Sequence, residues 1–320
     1  MSTLRVTDLS THFFMPEGIV RAVDRVSFSV EPGESVGLVG ESGSGKTVAS
    51  LSVLGLVDSP PGRTVGGSVE WDGRELLALA DRELRHIRGR DIAMVFQEPM
   101  SSLNPVYTVG EQVAEVLILH EGLDYAAARA RVLTLLKQVG IPDPGVRIDD
   151  YPHQMSGGMK QRVMIAMALA CGPRLLIADE PTTSLDVTVQ AQILELLDTE
   201  RRIRGMGLLL ISHDLAVVAE RCDRVVVMYA GRVVEAGPVE RVLTKPRHPY
   251  TSALLRSLPE RNVPGDRLET IPGSVPPPLS WDSGCRFRDR CSRATDQCAQ
   301  PPPMADRNVW CWHPLESGRG

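Results

Sequence analysis

The chain has 320 residues, 42% of them hydrophobic, which is enough for one large domain with a sizeable core and a smaller appendage. A formal net charge of -5 makes it a poor candidate for general nucleic-acid binding. No run of eighteen apolar residues is present to cross a membrane, and the opening MSTLRVTDLS lacks the apolar stretch of a secretory signal. These features predict a cytosolic chain in which disulfides are rare.

Val26, Phe28 and Val30 alternate with polar residues, the pattern of a half-buried strand, and Glu31-Pro32-Gly33 marks a turn. Ser35 to Val39 reads as a short apolar strand that enters a Gly-rich loop, and Thr47 to Leu56 reads as a helix. The texture changes from about residue 98 to 160, a helical insert. There Asp124 caps a helix through Gln138 with Val132, Leu135, Leu136 and Val139 on one face. Met159 to Ala170 is strongly helical. Further apolar strands fall at Leu175 to Ala178 and Leu208 to Ile211, so strands and helices alternate as in an α/β fold with a mostly parallel sheet. The composition shifts beyond about residue 245: ten of the 24 prolines lie from Pro259 onward, and four of the six cysteines from Cys285 onward. That composition predicts a loop-rich appendage too short for a large core of its own.

GESGSGKT, Gly40 to Thr47, fits the G-x-x-x-x-G-K-[ST] pattern of a phosphate-binding loop without a mismatch. Gly40, Gly43 and Gly45 let the backbone curl around Ser42 and Ser44 so that successive N–H groups face the phosphates. The following helix adds its positive end. Lys46 reaches the β- and γ-phosphates and the Thr47 hydroxyl binds Mg²⁺. Asp179, at the end of the buried run Leu175 to Ala178, suits the Mg²⁺ shell, and the adjacent Glu180 suits a general base for the attacking water. Ser156, Gly157 and Gly158 open a helix with exposed backbone N–H groups, a second anion site that one chain does not need for one ATP. Each of two subunits offering it to the partner's ATP gives it a use; simple helix capping is the alternative.

In this order, with Gln97 before MSGGMKQ (Met155 to Gln161), LLIADE, SLD (Ser184 to Asp186) and then His213, the motifs resemble those of the ABC ATPase family over roughly residues 1–245. MSGGMKQ departs from the family signature LSGGQ at Met155 and Met159. The resemblance implies that Gln97 senses Mg²⁺ and the attacking water, that Asp186 lies at a dimer seam, and that His213 contacts the γ-phosphate. It implies an aromatic ring on adenine, with Phe14 preferred to Phe13. The implied fold is an α/β P-loop ABC ATPase: a RecA-like core, an antiparallel β subdomain and a helical subdomain at about 98–160, together 1–245. A small Cys-rich C-terminal extension, 246–320, follows.

QEPMSSLNP (Gln97 to Pro105), YPHQMSGGMKQRVMIAMALA (Tyr151 to Ala170) and RHPYT (Arg247 to Thr251) resemble the dipeptide/oligopeptide permease ATPases over nearly the full length. This implies an ATP-hydrolysing importer subunit that works with two integral-membrane permeases and a second, related ATPase. An extracytoplasmic peptide-binding protein acts through the complex, nucleic acid is no partner, and the subunit sits peripherally on the cytoplasmic face of the inner membrane. An importer of nickel or another small solute, and a soluble ABC ATPase acting on DNA or ribosomes, are the alternatives.

Cys285, Cys291, Cys298 and Cys311 follow C-x5-C-x6-C-x12-C, which is no zinc-ribbon spacing, yet four thiols within 27 residues of a cytosolic chain suggest a metal. The permease ATPases carry a similar tail associated with a [4Fe–4S] cluster, so the resemblance implies that cluster at these four residues. Structural zinc, or free or paired thiols, remain open, with His313 as a spare ligand. A staple for a tail without a core is the preferred role over a redox sensor. Cys171 and Cys222 read as buried structural thiols.

Overall fold

The structure, a computed structural model, describes residues 4–97, 102–183, 185–258, 270–281, 283–305 and 308–316. Ser184 of the SLD motif and residues 98–101 of QEPMSSLNP lie outside the described residues. The chain forms two compact units, one of Thr3–Ser29, Ser35–Leu77 and Ser212–Gly320, the other containing Val30–Glu34 and Ala78–Ile211.

The first unit holds two sheets. In one, β1 (Leu4–Met15), β2 (Gly18–Val30), β4 (Gly62–Trp71) and the short β5 (Arg74–Glu75) run in the order β2-β1-β4-β5. β1 and β4 are antiparallel from Leu4↔Trp71 to Phe13↔Gly62, with register shifts between Thr7 and Thr11. The alternation read at Val26, Phe28 and Val30 is real: all three are buried on β2. In the other sheet β3 (Ser35–Val39) runs parallel to β9 (Arg224–Tyr229), and β10 (Arg232–Pro238) pairs antiparallel with β9. Two short strands, β11 (Met304–Ala305) and β12 (Val309–Trp310), extend that edge through Glu235↔Val309. The helices of this unit are α1 (Lys46–Val53), α8 (Leu215–Arg221), α9 (Val239–Thr244) and α10 (Pro249–Arg256).

The C-terminal residues do not form a separate core. Phe287 is 3% exposed in one cluster with Val39, Val227, Tyr229, Tyr250 and Leu255. Its ring meets Tyr229 edge-on at 5.2 Å and Tyr250 at 5.3 Å. Burying one such ring contributes about 1.5–3 kcal/mol, and each aromatic pair roughly 0.5–1.5 kcal/mol more. A tail too short to bury its own apolar surface is thus stabilised by a core already built around β9 and α10. The RHPYT segment makes this junction. Buried Glu235 on β10 accepts from the main-chain N–H groups of Arg247 (3.1 Å) and His248 (2.9 Å), and His248 Nδ1 caps α10 by accepting from the Tyr250 N–H at 3.0 Å.

In the second unit β6 (Ile92–Val95), β7 (Leu175–Asp179) and β8 (Gly207–Ser212) are parallel, in the order β8-β7-β6. All five residues of β7 are buried. Helices α2 (Asp81–Ile87), α3 (Val109–Glu121), α4 (Tyr125–Gln138), α5 (Pro144–Arg147), α6 (Gly157–Leu169) and α7 (Val187–Arg204) complete it. Thr108 and Glu111 form a capping box at α3, and Gly122 ends that helix in the left-handed conformation. The Asp124 carboxylate accepts from the Ala127 N–H at 2.8 Å, and Val132, Leu135, Leu136 and Val139 are buried, as the sequence predicts.

Candidate functional site

The loop after β3 has three glycines at positive φ: Gly40 (156°), Gly43 (76°) and Gly45 (96°). Gly45 is the N-cap of α1, and a Cβ there would lie 2.3 Å from the Ala22 carbonyl oxygen, so neither the backbone angle nor the space admits a side chain. Ser42 and Gly43 are exposed at the rim, while Ser44 and Lys46 are buried. Lys46 Nζ donates to the carbonyls of Gly40 (2.9 Å) and Glu41 (3.2 Å), and Thr47 stands in the first turn of α1. A lysine ammonium beside a Gly-rich turn at a helix start is an arrangement suited to an anion.

In the second unit Asp179 closes β7 fully buried, and Glu180 follows in the left-handed region at φ 45°. Its main-chain N–H is anchored on the Ile211 carbonyl at 3.0 Å. Its carboxylate accepts from Thr183 Oγ1 at 2.9 Å and from Gln97 Nε2 at 3.2 Å. Gln97 and Glu180, 83 residues apart, are thereby brought together. A non-glycine residue in that conformation is held against local strain, here by the turn after β7. Thr183 as a partner of Glu180 was not read from the sequence; its position three residues on in a turn was the available signal.

Ser156 and Gly157 are exposed at the start of α6, and Ser156 Oγ accepts from the Met159 N–H at 3.3 Å. Met155 is buried, so its place is filled by any apolar side chain of that size. Asp186, exposed, caps α7 by accepting from the Val189 N–H at 2.9 Å. His213 in the first unit is exposed, and Asp214 after it caps α8 through the Ala216 N–H at 2.8 Å. Phe14 is 46% exposed near His12, whereas Phe13 is half-buried over Gly62.

Cys285, Cys291, Cys298 and Cys311 line one small cavity with His248 and His313. All four thiols are free, and Cys298 and Cys311 are buried. Burial pushes the Cys285 thiol up to about 11, with the neighbouring thiols adding to the effect, and burial also raises Cys291 and Cys311. His313 Nε2 is 2.7 Å from Thr295 Oγ1. Among the described residues no three His, Cys, Asp or Glu side chains are grouped as a metal site. Cys171 and Cys222, expected to be buried, are only partly so.

A family model described as "ABC transporter" matches residues 23–183, and one described as "Oligopeptide/dipeptide transporter, C-terminal region" matches residues 234–298. The chain is 52% identical over 321 residues to the dipeptide transport ATP-binding protein DppD of Escherichia coli K12, covering 99% of this chain and 98% of the other. It is 52% identical over 319 residues to the protein of the same name in Haemophilus influenzae, covering 98% and 96%. A dimeric structure of the ATP-binding cassette MJ0796 in a post-hydrolysis state, bound to ADP and phosphate, is 31% identical with a TM-score of 0.66. It covers 74% of this chain and 98% of that one.

Proposed function

The chain belongs to the ABC transporter family of ATP-binding subunits, and from that membership we propose that it is the ATP-hydrolysing subunit of a dipeptide or oligopeptide importer. The observation that carries the cargo class is the match of the C-terminal region, residues 234–298, alongside end-to-end similarity to dipeptide transport subunits. The match of the oligopeptide/dipeptide transporter C-terminal region favours this reading over a nickel importer or a DNA- or ribosome-directed ATPase. The chain works on permease subunits in the membrane and, through them, with a peptide-binding protein. No described helix is long and apolar enough to cross a membrane, which fits a peripheral subunit.

Within this reading each residue has a task. The N–H groups of Gly40, Ser42, Gly43, Ser44, Gly45, Lys46 and Thr47 bind the phosphates, with Lys46 on the β- and γ-phosphates and Thr47 and Asp179 on the Mg²⁺ that enters with ATP. Glu180 takes the proton of the attacking water. Gln97, bonded to it at 3.2 Å, orients that carboxylate. His213 contacts the γ-phosphate and Phe14 the adenine. Ser156, Gly157, Gly158 and Asp186 serve the ATP of a second ATPase subunit, itself a related chain, and the complex sits on the cytoplasmic face of the inner membrane. The domain division is 1–245, with a helical subdomain at about 98–160, and 246–320. A [4Fe–4S] cluster held by Cys285, Cys291, Cys298 and Cys311 belongs to the same reading, with zinc as the alternative. What supports it is the donor set, four free thiols around one cavity; the cluster would cross-link the tail.

Affinity purification of the tagged chain from detergent-solubilised membranes tests the importer. Two polytopic membrane proteins and a second ATPase are expected. Recovery only from the soluble fraction, with nucleic acid or ribosomal proteins, would overturn it.

A further inference from the structure

Glu41, the second residue of GESGSGKT, joins the phosphate loop to the C-terminal tail. Its carboxylate accepts two hydrogen bonds from Arg290 Nη1, at 3.0 and 3.1 Å. Its main-chain N–H donates to the Tyr250 hydroxyl at 3.0 Å, and its carbonyl accepts from the Ser44 N–H at 3.1 Å. Arg290 is itself fixed. Nη1 also donates to the Tyr229 hydroxyl at 3.2 Å, Nε to the Pro272 carbonyl at 2.8 Å, and the guanidinium lies 5.8 Å from the Tyr229 ring centre. The Arg290 side chain is 7% exposed and that of Glu41 26%.

A carboxylate in a loop that gathers phosphates is an electrostatic liability. A like charge beside the phosphates repels them, and more strongly where water is excluded. Arg290 removes that liability and pins the side chain away from the rim formed by Ser42 and Gly43. We propose that Arg290 is a positioning residue of the nucleotide site: it neutralises and holds Glu41 so that the loop presents its N–H donors to the phosphates. The tail is then part of the ATP site of its own chain and does more than fill out the core. The inference rests on the ATPase reading of the same loop.

The test is titration of the purified full-length chain with a fluorescent, Mg²⁺-loaded ATP analogue. Arg290→Met should raise Kd about tenfold, and Arg290→Lys less. The double variant Glu41→Gln/Arg290→Met should recover most of that loss, because the uncompensated carboxylate is gone; a purely structural brace would show no recovery. Glu41→Gln alone should bind at least as well as the wild type, which keeps the proposal testable if Arg290→Met does not fold. Unchanged Kd in Arg290→Met, no recovery in the double variant, or a tenfold loss in Glu41→Gln would overturn the proposal. Lys46→Ala separates the two levels: if it loses nucleotide while Arg290→Met does not, the inference fails and the ATPase reading stands; if Lys46→Ala also binds normally, the ATPase reading fails.

Discussion

Replacing Asp24 by Asn should unfold the tail-bearing unit far more readily than any single arginine deletion around it. The Asp24 carboxylate on β2 accepts from Arg232 (Nε 2.9 Å, Nη2 2.8 Å) and from Arg286 Nη2, next to Cys285. Arg286 is almost fully buried, and it also donates to the Ala230 carbonyl. Burial, joined by the nearby Arg232 charge, pulls the Arg286 pKa down to about 10 against the opposing pull of Asp24. Asp24→Asn leaves two poorly solvated guanidinium groups without a counter-charge, and breaking a buried pair in this way costs about 3–5 kcal/mol. We take about 3 kcal/mol, because Asn still accepts one hydrogen bond. At about 2–4 °C per kcal/mol this lowers Tm by about 6–12 °C. Arg286→Met, by contrast, leaves Asp24 paired with Arg232, and its loss should be about half as large. Thermal unfolding followed by circular dichroism reads both, and the double variant should lose less than the sum. A Tm drop under about 2 °C for Asp24→Asn, or strict additivity, would refute the reasoning. The pH dependence gives a second check. Burial acts to raise the Asp24 pKa, yet Arg232 and Arg286 outweigh it and hold the group below its ordinary 3.8. Its stabilisation is therefore complete above that value and is lost as pH falls through the depressed folded pKa, and Asp24→Asn should lack this acid limb.

Glu180→Gln should keep ATP binding while kcat falls about 10²–10⁴-fold, measured by phosphate release; turnover near wild type would remove Glu180 as the base. His248 is buried and its pKa is pushed down to about 3 by that burial, against an ordinary 6.5. Its contribution to stability is complete above 6.5 and declines as pH falls toward 3, so His248→Asn, which can still cap α10, should flatten the decline of urea midpoints between pH 6.5 and pH 4. Equal slopes would count against it. Gly110→Ala in α3 places a Cβ 2.4 Å from Ile148 Cγ1 and 2.5 Å from the Ile148 carbonyl oxygen, and should destabilise by about 1–3 kcal/mol in chemical denaturation. An unchanged midpoint would mean that the packing of α3 against Ile148 yields. Anaerobically purified protein should be brown and lose iron in Cys298→Ser; colourless protein with one bound zinc would decide for the alternative metal.

What the sequence determined by itself is whatever depends on neighbours along the chain. The glycines of GESGSGKT announce the turn they make because positive φ is a local demand. Asp124 and Ser156 cap the helices that follow them because a cap reaches only two or three residues ahead. Leu175 to Ala178 reads as a buried strand from its composition alone. What only the tertiary structure decided is which distant side chains meet. Asp24 with Arg286, Glu41 with Arg290, and Gln97 with Glu180 are pairs 262, 249 and 83 residues apart. A charge in a sequence carries no mark of its partner, since no period or spacing links residues brought together by chain reversal. The same limit explains the partial exposure of Cys171 and Cys222, and the place of Phe287 in a core that its own segment is too short to build. Burial belongs to the assembled surface around a residue, and only folding creates that surface.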